Sequence, residues 1–276
     1  RKSTILEAIH LMALGRSFRS RQNTHMIQHQ QPEISLIGKT TASNHLNHTI
    51  GMTRSQDNKN AVHFDGDPIA NSSVLAQNLP LQLLEPQSFE LLSGSPDTRR
   101  QYLDWGVFHV EPSFFDSWRK VQRAIKQRNA LLKNACRYAD IVVWDKELAE
   151  HGEGLHKMRE AYTGRLVPLL MQMLQTMAPD VANALHLKYA RGWSQQLSLQ
   201  EALEKHFPHD AATGYTHVGP HRASIQMLYD GYPAHQVLSK GQQKCVVCAL
   251  RLAQSILFDQ DHEDTPCLFL IDDLAA

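Results

Sequence analysis

The chain has 276 residues, 42% of them hydrophobic, enough for one large domain or two modest ones around a real core. Lys+Arg and Asp+Glu both number 28, so the net charge is zero and no global basic field draws the molecule onto a polyanion; any nucleic-acid contact has to come from a local patch or a partner. The best apolar run, Cys245 to Leu252, is broken by Arg251 and falls short of the roughly 18 residues a membrane span needs, which argues against a membrane-embedded role.

Four irregularly spaced cysteines (Cys136, Cys245, Cys248 and Cys267) make no disulfide framework, and the start Arg1-Lys2-Ser3-Thr4 has no apolar signal segment. Reduced thiols and a cytoplasmic location are expected.

In chain order, apolar positions 5, 6, 8, 9, 12 and 13 follow a polar Ser-Thr start at helical spacing and predict an opening helix. Residues 34–70 carry short apolar runs, Ile34–Ile37, His48–Met52 and Ala61–Phe64, with a hairpin signal at Asp65-Gly66, and predict a small antiparallel sheet. The polar stretch 40–60 reads as a loop-rich edge of it.

From Pro86 to about Phe207 the spacing is helical, through Phe114, Trp118, Val121 and Ile125 and again through Leu166, Leu169, Leu170, Met173 and Met177. Ile225–Tyr229 with Asp230-Gly231 is a second hairpin signal, Ser239–Phe258 a capped helix, and Cys267–Asp273 a strand expected to be buried on both faces. Sheet elements at both ends bracket a helical middle. The expected fold is α/β, a mixed sheet with helices forming one head from residues 1–110 and 208–276, with a helical arm inserted at 111–207.

Three pieces carry chemistry. Lys2-Ser3 fits the last two positions of a phosphate-binding loop G-x-x-x-x-G-K-[ST], in which the lysine reaches the β and γ oxygens and the hydroxyl ligates Mg²⁺. Leu268-Phe269-Leu270-Ile271-Asp272-Asp273 fits a Walker B strand, whose first acid serves the metal and whose second orients water. Leu238-Ser239-Lys240-Gly241-Gln242-Gln243 resembles the LSGGQ signature of ABC-type ATPases, with Ser239 able to cap a helix while the first-turn N–H groups face a γ-phosphate and Gly241 permits close approach. Each piece has a bland alternative: a helix start, a core strand ending in a turn, a common cap. Their order in one chain favours an ABC-type ATPase.

Pro86 to Asp104 reads P-Q-S-F-E-L-L-S-G-S-P-D-T-R-R-Q-Y-L-D and resembles the RecF motif P-[DE]-x-x-x-L-L-x-G-x-P-x-x-R-R-x-[FY]-L-D, with Gln87 its one departure. Leu6–Ile9 with Gly15–Arg19, Lys126–Leu131, Trp144–Leu148 and Gly219–Arg222 are further RecF-like blocks, so the resemblance spans essentially the whole chain. It implies an ABC-type head with a helical arm, ATP and Mg²⁺ as cofactors, weak DNA-dependent ATP hydrolysis, and an ATP-dependent homodimer. That dimer would act on single-stranded and gapped duplex DNA with RecO and RecR to load RecA.

By the same resemblance Lys2, Ser3 and Thr4 contact phosphate, Ser3 and Asp272 the metal, and Ser239, Gly241 and Gln242 the nucleotide of a second copy. Asp273 is the catalytic carboxylate and Gln82 the Q-loop glutamine. The head is expected to continue before Arg1 and after Ala276. Two departures stand out: Arg1 occupies the place of the loop's second glycine, and Ala223-Ser224 follow Arg222 where the family has Asp.

Arg16 and Arg19 on a basic loop, and Arg99 and Arg100 on a helix, are candidate DNA contacts, with solvated or ion-pairing surface residues as the alternative. Cys245-x-x-Cys248 reads as core packing, and His206, His209, His217 and His221 lack partners that would complete a zinc site. The rival functions are a non-hydrolysing DNA-binding scaffold and another head of the SMC type, the latter disfavoured by the short helical insert.

Overall fold

The computed structural model describes residues 2–20, 22, 25–41, 47–57, 59–69, 71–134 and 136–273. Arg1, expected to crowd a phosphate, lies outside them. The chain divides into two compact units, residues 1–88 with 258–276, and residues 89–257. This partition differs from the expected boundaries at 110 and 207, since residues 89–110 and 208–257 group with the helical middle.

In the first unit, helix α1 (Lys2–Leu14) is followed by strands β1 (Glu33–Thr41), β2 (Asn47–Ser55), β3 (Asn60–Phe64) and β4 (Asp67–Pro68), which form an antiparallel sheet in that order. The loop-rich edge expected at 40–60 is corrected. Asn47–Ser55 is an interior strand, paired with β1 through Ile50↔Gly38 and with β3 through Ile50↔Phe64. Its alternation was hidden by polar residues on the open face, while Ile50 and Met52 are buried beneath. The Asp65-Gly66 turn has both residues at positive φ, 52° and 91°, the geometry a two-residue hairpin of this twist needs.

Helix α2 (Ser73–Asn78) then leads to β5 (Leu81–Leu84), which pairs in parallel with β9 (Leu268–Ile271) in the register Leu81↔Leu268 to Leu84↔Ile271. Helix α1 serves two small cores. Leu11 packs with Ile50, Met52 and Leu75 under the antiparallel sheet, and Ala13 packs with Leu81 and Leu270 on the parallel pair. The approach is close at Gly38, where a Cβ would stand 2.5 Å from the Met12 sulfur.

β9 is not buried on both faces as expected. Leu268 and Ile271 are 37% and 46% exposed, and among the described residues β5 is its only strand partner.

The second unit holds α3 (Glu90–Ser93), α4 (Pro96–Val110), α5 (Phe114–Leu132), α6 (Tyr138–Met177), α7 (Pro179–Ala182), α8 (Leu199–Thr213) and α9 (Ala234–Val237). It also holds most of α10 (Lys240–Asp261). These surround a core that includes Leu103, Leu148, Leu166, Val247 and Leu250. A three-stranded antiparallel sheet, β6 (Leu185–Ala190), β7 (Ser224–Tyr229) and β8 (Tyr232–Pro233), completes the unit.

β6 interrupts the stretch read as helical to Phe207. Its Leu-His-Leu-Lys-Tyr-Ala alternation fits a strand, and pairing with β7 decides the matter. The Asp230-Gly231 hairpin is present, again with both residues at positive φ, 49° and 83°.

Two buried charge networks hold this unit together. Arg128 of α5 donates to Asp145 of α6 and Asp210 of α8, each at 2.6 Å, and to Thr216 at 3.0 Å. Arg159 of α6 grips Asp104 of α4 with two hydrogen bonds of 2.7 and 2.9 Å and donates to the Pro220 carbonyl at 2.8 Å.

Candidate nucleotide site

Parallel pairing sets where the first unit can do chemistry. The Asp272 amide donates to the Leu84 carbonyl at 2.9 Å, so the ladder continues one residue past β9 and holds Asp272 at the carboxyl end of both strands. This edge is where parallel sheets gather ligand-binding groups. The start of α1 meets it: the Ser3 hydroxyl donates to Asp272 Oδ1 at 3.3 Å. Residues from opposite ends of the chain thus share one cluster, with the N-terminal N–H groups of α1 adding positive character.

Lys2 and Thr4 flank Ser3 on the first turn and are exposed, while Ser3 and Asp272 are half-buried. Asp273 is exposed and adopts a left-handed φ of 49°, so the two acids part at the strand end. A serine hydroxyl beside an aspartate is a pair of hard oxygen donors, chemistry that suits Mg²⁺. Among the described residues no group of three His, Cys, Asp or Glu could hold a metal ion by itself.

Gln82 lies in β5 opposite Phe269 and is 1% exposed. Its level on the sheet is three residues, roughly 10 Å, before that of Asp272.

The loop after α1 is built more firmly than its sequence suggests. His10 Nδ1 bonds the Arg16 carbonyl at 2.8 Å, the Ser17 hydroxyl donates to Glu7, and buried Arg54 donates to the Gly15 carbonyl at 3.2 Å. Burial lowers the pKa of His10, against the Arg16 carbonyl that raises it. Arg16 and Arg19 stay exposed on this braced loop. Sequence reasoning missed Glu7, His10 and Arg54; the one available signal was Glu7 within the Leu6–Ile9 block.

In the second unit Ser239 caps α10 as expected. Its hydroxyl accepts from the Gln242 amide at 3.3 Å and Gln242 Oε1 accepts from the Ser239 amide at 3.0 Å, a reciprocal capping box. Gln242 Nε2 donates to Asp180 at 3.0 Å, so both ends of that carboxamide are engaged within the unit. Ser239 and Gly241 are exposed, and a Cβ at Gly241 would meet nothing within 4 Å.

Arg99 and Arg100 have internal partners. Arg99 donates to Ser224 and the Gly94 carbonyl at 3.2 and 2.7 Å, and Arg100 to the Ala223 carbonyl and Asp97 at 3.0 and 3.2 Å. Burial lowers the Arg99 pKa, and the Arg100 charge adds to that. Cys245 and Cys248 are half-buried on α10, and burial pushes the Cys248 thiol up. His217 bonds Asp210 at 2.8 Å, and His221 bonds the Thr216 carbonyl at 2.9 Å.

Among known proteins, the DNA replication and repair protein RecF of Vibrio parahaemolyticus is 39% identical over 275 residues, covering 100% of this chain and 76% of that protein. The chain belongs to the RecF family. RecF of Shewanella denitrificans is 37% identical over 275 residues, again covering all of this chain and 75% of that protein.

A solved structure of the recombination mediator protein RecF-ATP in the RecFOR pathway superposes with a TM-score of 0.88 at 22% identity, over 99% of this chain and 76% of that one. The RecF-ATPrS structure gives 0.87 at 22% identity, over 100% and 76%. No family model matches the chain. The RecF likeness establishes the fold, a mixed helix-and-sheet architecture consistent with an ABC-type ATPase head. No helix among the described residues is long and apolar enough to cross a membrane.

Proposed function

We propose that this RecF-family chain binds ATP with Mg²⁺ and couples it to DNA in recombinational repair and replication-fork maintenance, helping to load RecA at single-strand gaps with RecO and RecR. The observation that carries the reading is the 3.3 Å hydrogen bond between Ser3 and Asp272 at the open end of the parallel strands. The relatives' names and the RecF-ATP structure support it.

Lys2 and Thr4, at the exposed opening of α1, would hold the phosphates, and Ser3 with Asp272 would hold Mg²⁺. When bound, the ion neutralises charge on the phosphate oxygens. Asp273, exposed just beyond, would orient water for slow, DNA-dependent hydrolysis. Gln82 would sense the same centre, which requires its carboxamide to lean toward the strand ends.

Ser239, Gly241 and Gln242 of a second copy would face the γ-phosphate, making the homodimer ATP-dependent. Their exposed helix start and the open space at Gly241 support this. The head-and-arm division at 110 and 207 belongs to the same reading, as does a cytoplasmic location. DNA would meet the exposed Arg16 and Arg19, with Arg99 and Arg100 contributing the donors their internal partners leave over.

The test is nucleotide binding and sedimentation of the parent beside K2M, D272N, D273N and S239R. K2M and D272N should lose MgATP affinity, S239R should bind ATP and stay monomeric, and D273N should dimerise without turnover. K2M binding MgATP as tightly as the parent would overturn the reading.

A further inference from the structure

Helix α5 is sharply two-sided. Val121, Ala124, Arg128 and Leu132 are buried, and the opposite face carries Arg119, Arg123, Lys126 and, at the helix end, Lys133, all exposed. At 100° per residue these four cations fall within an arc of about 80°, and they span about 21 Å along the axis. Ion pairing does not account for them: among the described residues none of the four lies in a salt bridge, and the guanidinium of α5 that does pair is the buried Arg128.

The one acid on this face is Asp116, in the first turn. Three of the four cations sit over aromatic rings instead: Arg119 over Phe115 at 5.9 Å, Arg123 over Trp144 at 5.8 Å and Lys133 over Tyr215 at 4.9 Å. Ring contacts hold the side chains without neutralising them, leaving full charge for an external partner.

We infer that this face of α5 is a docking surface for the phosphate backbone of duplex DNA, separate from Arg16, Arg19, Arg99 and Arg100. A net charge of zero makes the segregation informative, because a stripe of unpaired cations raises the local potential where the whole molecule does not. A line of cations about 21 Å long matches a run of several successive phosphates, and contacts to phosphate carry no sequence information directly. The contact is therefore sequence-independent and strongly salt-dependent. The inference rests on the DNA-binding reading above and adds a further contact surface to it.

Fluorescence anisotropy of a labelled duplex against salt, with the full chain, tests it. Each phosphate contact contributes roughly 0.9 to the slope of log affinity against log salt, so R123Q/K126Q should lower the slope by about two, and R123E/K126E should weaken binding further at low salt. A control pair, K157Q/K205Q, removes exposed cations outside α5 and should leave the slope as in the parent.

If the parent binds duplex and the α5 variants keep its slope, the α5 surface is refuted while DNA binding stands, and an acidic protein becomes the occupant to seek. If the parent fails to bind duplex at any salt, the DNA reading falls and takes this inference with it. Unchanged urea midpoints in the variants would confirm that a lowered slope is not a folding defect.

Discussion

Replacing Arg128 with methionine removes the cation that joins α5, α6 and α8. The side chains of Arg128, Asp145 and Asp210 are all 0% exposed, and the guanidinium reaches both carboxylates at 2.6 Å. Methionine keeps most of the packing but leaves the buried Asp145 carboxylate with no counter-charge and Asp210 with only His217 beside it. Removing one member of a buried charge pair costs about 3–5 kcal/mol, because the group left behind stays desolvated.

The loss should also depend on pH. Burial already raises the Asp145 carboxyl, and Arg128 is the chief influence opposing that rise. Without Arg128 it rises further, so the folded variant binds a proton that the unfolded chain releases near pH 4, and stability falls as pH climbs from there through the raised value. R128M should therefore be more destabilised at about pH 8 than at about pH 5. All four tryptophans, Trp105, Trp118, Trp144 and Trp193, lie in the second unit, so intrinsic fluorescence in urea reports its unfolding alone. A loss under about 1 kcal/mol, or the same loss at both pH values, would refute the argument.

His221 offers a second pH signature in the parent. Its Nε2 donates to the Thr216 carbonyl, its buried Nδ1 has no partner, and burial lowers its pKa to about 4. Stability should decline as pH falls from about 6.5 toward 4, by up to about 3 kcal/mol, and H221Q should flatten that decline in acid urea titrations. Ser239→Ala should destabilise α10 by about 1 kcal/mol by urea melt, whereas S239D keeps the cap; retention of ATP-driven dimerisation in S239D would argue against a phosphate-facing hydroxyl. Gly38→Val should cost under about 1 kcal/mol by circular dichroism, since the Met12 sulfur that its Cβ would meet at 2.5 Å is the far end of a flexible, half-buried side chain that can turn aside; a loss above about 3 kcal/mol would show Met12 to be locked in place.

Much of the fold was legible because local signals agreed with tertiary contacts. The two Asp-Gly hairpins, the opening helix and the Ser239 cap all appear where turn chemistry and periodicity place them. What sequence missed was pairing. Nothing local marks Asn47–Ser55 as interior to a sheet, or Leu185–Ala190 as a strand amid helices, because their hydrogen bonds go to β3 and β7, which only the fold brings alongside. Of the candidate site, Ser3 and Asp272 were legible as fragments of two motifs, and the fold joins them. Apart from Glu7 in the Leu6–Ile9 block, nothing in the sequence marked the bracing of the Gly15–Arg19 loop, since His10 and Arg54 are ordinary polar residues until the chain folds.

The RecF-like blocks of the second unit do a different job from the motifs of the first. Asp104, Arg128, Asp145 and Pro220 each fall in a block, and each belongs to one of the two buried charge networks. Arg99 and Arg100, the twin arginines of the longest block, reach the backbone or side chains of residues 223–224. Ala223, one of the two residues standing where the family pattern has Asp, is fully buried and its carbonyl accepts from Arg100. Those blocks therefore identify the fold through groups whose desolvation makes them intolerant of change. In the proposed reading chemistry would depend on a smaller and more exposed set, Lys2, Ser3, Asp272 and Asp273, where substitution should alter nucleotide handling while leaving the tryptophan-reported stability of the second unit untouched. A K2M variant that lowered that stability would show the two roles to be coupled.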